Sequence, residues 1–356
     1  MVYLDYAATC PVVKYPQQLY RNVLGERYFF NPNANYAYKE KRLLSEAENR
    51  VKKAIGAKDG KVIFGGTSSQ LIENLFTHIY DETNEYLTIC SVYEHDSVWR
   101  FADQWGNIES LKHVIQTYHG NKQLIVCLMG VNNLTGEIMP VEEIGKLCHE
   151  HNAFYICDMT AMIGHTPIPT DIDEWCDCAV WSGHKLGTEL GIGCCWISDE
   201  LDKWLNGFKL HGTPNLAGAL AMAQAVEDAC DEVVIDKKDY HWTGLADMMY
   251  RTLEKANIGY VMIPDRLVAY TYAINAIRLP GFNADALQQY LASKQIYVSI
   301  GGSACAEKHD YRVLNAYGLS NDEASEVIRV SFGGDNNIEE VKMLVKEIKN
   351  FKELYL

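Results

Sequence analysis

Lys185 is the residue whose surroundings most clearly suggest chemistry. It stands in "SGHKLG", directly after the apolar run "CAVW", and glycines flank it at 183 and 187. Lysines usually lie on solvated surfaces, but a lysine beside a cleft loses its proton at low cost and can form a Schiff base with an aldehyde. Ser182 and His184, which precede it, could hold a phosphate. The stretch is therefore consistent with a covalently held ligand that carries an anionic group.

Asp158 follows a second apolar run, "AFYIC", and we expect it at the end of a buried strand. A carboxylate in such a crevice could pair with the protonated ring nitrogen of a cofactor. It could equally cap the segment that follows. The residue alone does not decide between these two roles.

A candidate anion site follows a third apolar run, "KVIF", where "GGTSS" opens a helical pattern. Free backbone N–H groups and the helix dipole favour a phosphate at such a place, and Ser68 and Ser69 add hydroxyl donors. The same residue types also make an ordinary N-cap. A lysine, an aspartate and an anion site together are what pyridoxal 5'-phosphate (PLP) requires, because it is an aldehyde with a phosphate and a pyridine nitrogen.

A cysteine and a histidine complete the set of candidates. Cys305 follows Gly301, Gly302 and Ser303 in "GGSACAEKHD", where apolar neighbours are scarce, so we expect an accessible thiol on a flexible segment. His95, in "YEHDSV", could lie flat against a cofactor ring, although a single histidine is often structural.

The elements that position these residues alternate between short apolar strands and amphipathic helices. Unbroken apolar runs such as "QLIVCLM" are typical of strands buried on both faces of a mostly parallel sheet flanked by helices, so the fold class is α/β. Ligands bind beyond the carboxyl ends of such strands. We predict a large cofactor-binding domain over residues 14–246. Residues 1–13 and 247–356 would form a smaller α+β domain with the Cys305 segment, the strands "IYVSI" and "VIRVSF", and the helices "ADALQQYLASKQ" and "IEEVKMLVKEIKNF".

Composition narrows the possible functions. The 356 residues carry a formal charge of -15, which argues against a protein that binds phosphate backbones of nucleic acid directly. The eleven cysteines are dispersed and mostly lie in apolar runs, as expected of reduced core thiols, and their closest pairs lack zinc-site spacing, so we expect no metal. The sequence predicts no signal peptide and no membrane span, and we expect a cytoplasmic protein.

Several motifs occur together in an order that resembles the cysteine desulfurases of the NifS/IscS-like group, which are class V PLP enzymes. The matching stretches are "YLDYAAT", "NPNA", "EHDSV", "VNNLTGE", Asp158 after its strand, "SGHK", "HGTPN", "GGSAC" and "IRVSFG". They run over nearly the whole chain, and "SGHK" with a downstream "GSAC" is a specific pair. The resemblance implies a PLP-dependent transferase of fold type I.

The resemblance also implies roles for the cofactor site. Lys185 would bind PLP and move the substrate's Cα proton, Asp158 would keep the ring nitrogen protonated, and His95 would stack on the ring and exchange a proton with the substrate thiol. The phosphate ligands would be Ser68, Ser69, Ser182 and His184, with Thr213 reaching in from a second subunit. A homodimer with shared sites would follow.

For the substrate, the resemblance implies L-cysteine. Arg329 would pair with its carboxylate, and Asn133 would lie near that carboxylate or the ring hydroxyl. Cys305 would attack the substrate sulfur, which leaves a persulfide on Cys305 and releases alanine. The sulfur would pass to an acceptor protein, such as an iron–sulfur scaffold, a tRNA-thiolation protein or a DNA-modification protein.

Departures from the family pattern keep other functions open. Ala161 stands where the family usually has a glutamine, and "GGTSSQ" replaces a different phosphate loop. One alternative is another class V PLP enzyme, a selenocysteine lyase or an aminotransferase, in which Cys305 is incidental. A second alternative is a degenerate PLP-fold subunit that mainly binds a partner.

Overall fold

The structure is a computed structural model that describes residues 1–25, 34–83, 85–264, 268–302 and 310–355. Cys305 lies outside the described residues, as do its neighbours from 303 to 309. The other residues predicted to form the site are all described.

The strands and helices follow one another along the whole described chain. The strands are β1 (Val2–Tyr3), β2 (Lys61–Gly65), β3 (Tyr86–Ser91), β4 (Gln104–Gly106), β5 (Gln123–Cys127), β6 (Phe154–Asp158), β7 (Cys178–Ser182), β8 (Gly193–Ile197), β9 (Val261–Ile263), β10 (Ile274–Arg278), β11 (Ile296–Tyr297), β12 (Ser299–Ile300) and β13 (Val327–Ser331). The helices are α1 (Lys14–Gly25), α2 (Tyr38–Ala54), α3 (Ser68–Glu82), α4 (Asp96–Trp99), α5 (Ile108–Thr117), α6 (Val141–Glu150), α7 (Asp199–Trp204), α8 (Leu216–Cys230), α9 (Glu232–Lys255), α10 (Ala284–Ser293), α11 (Arg312–Ala316), α12 (Asn321–Ala324) and α13 (Ile338–Tyr355).

The chain divides into two compact units. The first unit contains Met1–Cys10, Val131–Ile138 and Asp236–Leu356, and the second contains Pro11–Gly130 and Met139–Ile235. The domain limits drawn from the sequence, 14–246 against 1–13 with 247–356, stay a prediction. Residues 131–138, which carry Asn133, lie in the first unit.

The second unit is built on a sheet in which the described residues form seven strands, in the order β2-β8-β7-β6-β5-β3-β4. Strands β3 to β7 pair in parallel, and β8 is antiparallel to both β7 and β2. Because β8 is antiparallel to both of its neighbours, β2 runs in the same direction as β7. The predicted α/β fold with a mostly parallel sheet is confirmed.

The central strands are buried on both faces, which explains their unbroken apolar sequences. Every residue of β6, β7 and β8 is buried, including Trp181 and Trp196. Leu71, Leu75 and Ile79 form the buried face of α3 and belong to the core beside this sheet. Because the strands have no solvated face, their polar residues collect at the ends.

The described cysteines mostly lie in this core as free thiols, as their apolar surroundings predict. Those that are buried are Cys90, Cys127, Cys148, Cys157, Cys176, Cys178, Cys194 and Cys195. Burial disfavours the thiolate, and it raises the pKa of Cys195 to about 12. These thiols are therefore poor nucleophiles.

The first unit contains an antiparallel sheet of four strands among its described residues, in the order β12-β13-β10-β9. The single strand predicted for "IYVSI" is wrong, because the run divides at Val298: β11 pairs with β1 and β12 pairs with β13. The helices predicted for "ADALQQYLASKQ" and "IEEVKMLVKEIKNF" are observed as α10 and α13. None of the helices in the described ranges is both long and apolar enough to cross a membrane.

A histidine–aspartate pair joins the end of α6 to the start of β7. His149 Nε2 lies 3.0 Å from Asp177 Oδ2, and Nδ1 lies 2.9 Å from the Glu174 carbonyl oxygen. Both oxygens only accept hydrogen bonds, so both ring nitrogens are best satisfied when each carries a hydrogen. The hydrogen bond to Asp177 is the main reason that the pKa of His149 is raised.

This pair predicts a pH-dependent contribution to stability. Because folding raises the pKa of His149, the pair stabilises the fold fully at pH values below the unfolded-state pKa of about 6.5. This stabilisation is lost as the pH rises through the folded-state pKa of His149. We expect His149→Gln to lower the free energy of unfolding by about 1 kcal/mol at acidic pH and by less at alkaline pH. Urea unfolding across that range measures it. His119→Gln, which changes an exposed histidine, is the control, and an equal pH profile in both variants would contradict the account.

Candidate active site

The polar residues predicted for the site follow strands that end at the same edge of the large sheet. Ser91, Asp158 and Ser182 are the last residues of β3, β6 and β7, and Gly65 ends β2. In register, Gly193 of β8 lies opposite both Gly65 and Ser182. The carboxyl ends of the parallel strands therefore bring these groups together, as expected for a ligand site in this class of sheet.

Asp158 closes β6 with its side chain almost completely buried, at 8% exposure. Its Oδ1 accepts a hydrogen bond of 2.9 Å from the backbone N–H of Thr160, and its carbonyl accepts one of 2.9 Å from Gly130. Oδ2 forms no hydrogen bond within the described residues. Asp158 thus caps the following turn through one oxygen, and its pairing with a cofactor, which would use the other oxygen, stays a prediction.

Lys185 ends a tight turn, Gly183–Lys185, that follows β7 directly. The turn is closed by hydrogen bonds from the N–H groups of Leu186 and Thr188 to the Gly183 carbonyl, at 2.8 and 3.1 Å. A Cβ on Gly183 would lie 2.2 Å from Thr188 Oγ1, so the turn requires glycine. Lys185 is held half-buried just beyond the sheet edge.

His184 lies in the same turn and is neutral at physiological pH. Burial and, to a smaller degree, the Lys185 ammonium lower the pKa of His184 to about 4. If His184 contacts a phosphate, it does so as a hydrogen-bond donor without a formal charge. The positive potential at this turn comes from Lys185 and from backbone N–H groups.

The start of α3 forms a cradle next to Ser182. Thr67 caps the helix by accepting a hydrogen bond of 3.0 Å from Gln70 N–H, so Ser68 and Ser69 occupy its first turn, where N–H groups have no helical acceptor. A Cβ on Gly193 would lie 2.8 Å from Ser68 N and 2.5 Å from the Thr67 carbonyl carbon. The absence of a side chain at Gly193 therefore allows the helix N-terminus to approach the strand end, a geometry that suits an anion.

His95 lies in the turn between β3 and α4. Its Nδ1 is 3.2 Å from the backbone nitrogen of Ser97 and 2.9 Å from Ser97 Oγ. Glu94, exposed by only 1%, accepts hydrogen bonds from Ser91 Oγ at 2.5 Å and Met129 N–H at 2.8 Å. The Glu94 carboxylate thereby fixes this turn to the ends of two strands.

Arg329 and Asn133 lie in the first unit and contact each other. Arg329 Nη1 donates to the Asn133 carbonyl at 2.9 Å, and Nη2 donates to Asp5 Oδ1 at 2.8 Å and Ser299 Oγ at 3.0 Å. The guanidinium is 6% exposed, and its Nε is buried with no partner among the described residues. An unused donor on a fixed guanidinium suits a carboxylate ligand.

Asp5 and Ser299, which contact Arg329, are not among the residues predicted from the sequence. Ser299 Oγ donates to Asp5 Oδ1 at 2.8 Å, so both side chains hold Arg329. Their positions in the sequence could have indicated them, because Asp5 lies in the motif "YLDYAAT" and Ser299 lies just before "GGSAC". Their pairing with Arg329 depends on the fold, because Asp5 and Arg329 lie 324 positions apart.

The predicted residues therefore fall into two groups, one in each unit. The second unit holds His95, Asp158, Lys185 and their neighbours, and the first unit holds Asn133 and Arg329. Thr213 lies exposed in the segment before α8, and its role across a subunit boundary stays a prediction.

The sequence matches the family described as "Aminotransferase class-V" over residues 2–344. The chain belongs to this family. The curated relatives of this class-V protein include one named "Cysteine desulfurase IscS" from Mannheimia succiniciproducens, 27% identical over 99% of this chain and 95% of the relative. A second, with the same name, from Dictyoglomus turgidum is 29% identical over 71% of this chain and 70% of its own length.

Solved structures confirm the fold of this class-V protein. One titled "NIFS-LIKE PROTEIN" has a TM-score of 0.84 at 22% identity and covers 99% of both chains. The apo structure of a cysteine desulfurase from Thermococcus onnurineus NA1 has a TM-score of 0.79 at 20% identity, over 99% of this chain and 95% of that one. The predicted relationship to this family is confirmed.

The class-V family is PLP-dependent, so the prediction of this cofactor is confirmed. The residues at the sheet edge fit the cofactor's groups: a lysine for the aldehyde, Asp158 with an unused oxygen for the ring nitrogen, and the glycine-lined cradle of α3 for the phosphate. The assignment of each residue to its cofactor group stays a prediction.

The cradle predicts the effect of a single methyl group. We expect Gly193→Ala to displace the first turn of α3 and to weaken PLP binding by at least about tenfold, or ~1.4 kcal/mol. Titration of the apo-protein with PLP, followed by absorbance, measures the dissociation constant. Gly259→Ala is the control, because a Cβ there meets open space. Equal PLP affinity in the two folded variants would rule out this phosphate site.

Proposed function

We propose that this chain is a PLP-dependent L-cysteine desulfurase that converts L-cysteine to L-alanine and collects the sulfur on Cys305. The observation that carries the proposal is the alignment, over nearly the full length of both chains, with a relative named cysteine desulfurase. The cysteine of "GGSAC" at 305 supplies the thiol that such a reaction needs. The polar groups at the sheet edge support the cofactor part of the proposal.

The cofactor would be held by groups at the carboxyl edge of the sheet. The Lys185 amine would bind its aldehyde, the Asp158 carboxylate would face its ring nitrogen, and His95 would lie against its ring. Its phosphate would be bound by Ser68, Ser69, Ser182 and His184, with Thr213 of a second copy. When bound, PLP supplies an electron-withdrawing ring that stabilises negative charge on the substrate's carbon atoms.

The substrate's carboxylate would pair with Arg329. Its guanidinium is already oriented by Asp5 Oδ1, Ser299 Oγ and the Asn133 carbonyl, so little side-chain entropy is lost when a substrate binds. The Nε–H group remains available for the incoming carboxylate. Asn133, whose backbone carbonyl is engaged by Arg329, would offer its side-chain amide to the substrate or the cofactor.

The Lys185 amine would remove the proton from the substrate's Cα and later return a proton to the product. The Cys305 thiolate would attack the substrate's Sγ, so that an S–S bond forms while the Cβ–Sγ bond breaks. The electron pair of the broken bond stays with Cβ, which then takes up a proton. Cysteine and a protein thiol thus give alanine and a protein persulfide, and no external oxidant is required.

The persulfide would be passed to an acceptor protein, for example an iron–sulfur scaffold or a tRNA-thiolation or DNA-modification protein. We further propose a homodimer, because Thr213 is expected to serve the site of a second copy, and a cytoplasmic location. These statements rest on the family resemblance and on the charge and composition of the sequence.

Mass spectrometry of the PLP-loaded protein after incubation with L-cysteine tests the proposal. We expect an addition of ~32 Da, one sulfur atom, on the peptide that contains Cys305, together with formation of alanine. Cys305→Ser should abolish both the added mass and repeated turnover. Cys10→Ser, which removes a partly buried thiol elsewhere, is the control and should behave as the wild type.

Alternative functions give different results in the same experiment. A selenocysteine lyase or an aminotransferase would keep its turnover in Cys305→Ser. A subunit that only binds a partner would form no alanine in any variant. Either result would contradict the proposed desulfurase.

A further inference from the structure

The contacts of His95 with Ser97 determine which of its ring nitrogens carries the hydrogen, a point on which the family resemblance is silent. Its ring nitrogen Nδ1 lies 3.2 Å from the backbone nitrogen of Ser97, and His95 is the N-cap of α4. A backbone N–H group can only donate a hydrogen bond, so Nδ1 must present its lone pair. In the neutral imidazole the hydrogen then lies on the other nitrogen, Nε2.

The Ser97 side chain reinforces this arrangement. Ser97 Oγ lies 2.9 Å from the same Nδ1, and Ser97 is only 3% exposed, so water does not compete easily for the contact. The Ser97 N–H belongs to the first helical turn, where no carbonyl of the helix accepts it. A proton placed on Nδ1 would face that N–H donor and leave it buried without an acceptor, which is costly.

Hydrogen bonds on both sides of His95 fix the backbone that carries its ring. The His95 carbonyl accepts hydrogen bonds from the N–H groups of Val98 and Trp99 at 2.9 and 3.0 Å. On the other side, the buried Glu94 carboxylate is tied to Ser91 and Met129. If the imidazole rotated away, the Ser97 N–H group would stay in place and lose its acceptor.

We propose that Ser97 is a positioning residue that holds His95 in the tautomer with its hydrogen on Nε2. Nε2 forms no hydrogen bond within the described part of the chain, so this N–H is the group that His95 offers to a ligand. His95 then acts on a bound substrate as a hydrogen-bond donor, and the substrate thiol gives its proton to another group. The statement about the substrate rests on the proposed desulfurase function, whereas the tautomer does not.

Nitrogen NMR of the PLP-loaded protein, labelled with ¹⁵N-histidine and measured without substrate, tests the tautomer. His95→Gln identifies the His95 signals among those of the eleven histidines. We expect Nδ1 to resonate as an unprotonated ring nitrogen and Nε2 as a protonated one. Ser97→Pro, which removes the backbone N–H group that faces Nδ1, should shift both signals towards a mixture of tautomers. Ser97→Ala, which keeps this N–H group, is the matched control and should leave the proton on Nε2.

The other histidine signals show whether each variant keeps its fold. A wild-type spectrum with the proton on Nδ1, or a Ser97→Pro spectrum identical to the wild type, would overturn the proposal. In turnover with L-cysteine we expect Ser97→Pro to lower kcat at least about tenfold with little change in KM, because a misplaced hydrogen-bond donor affects the chemical step. A wild-type protein that forms no alanine would refute the desulfurase function but leave the NMR result valid.

Discussion

The common direction of β2 to β7 is the constraint on which the candidate site depends. Polar groups spread between residues 65 and 185 meet at one edge because the strands that carry them end there. Strand β8 runs in the opposite direction, so its first residue, Gly193, lies at this edge. Because Gly193 has no side chain, there is room for the N-terminus of α3. A cofactor with an aldehyde, a ring nitrogen and a phosphate requires several groups at fixed separations, which a rigid buried sheet provides.

Burial also determines which side chains at this edge are charged. His184 stays neutral because burial and the neighbouring lysine disfavour its charged form. In the first unit, Arg329 keeps its charge in a buried position because Asp5 compensates it. The second unit thus has a glycine-containing turn that carries Lys185, and the first unit has a guanidinium that is oriented by three hydrogen bonds.

Much of this arrangement could be predicted from the sequence. Unbroken apolar runs indicate strands buried on both faces, and the first polar residue after each run, such as Asp158 or Ser182, is then expected at the ligand-binding edge. Other features could not be predicted, because a pattern of apolar residues does not specify which distant groups meet. The contact of Asp5 with Arg329 and the division of "IYVSI" between two sheets both depend on tertiary contacts.

We propose that Lys185, at the edge of this sheet, holds the cofactor covalently. Borohydride reduction of the PLP-loaded protein, followed by digestion and mass spectrometry, tests it most directly, since reduction makes the bond between cofactor and amine permanent. The account predicts a pyridoxyl group on the peptide that contains Lys185 and none in Lys185→Ala. A pyridoxyl group on a different lysine, or bound PLP that labels no lysine, would contradict it.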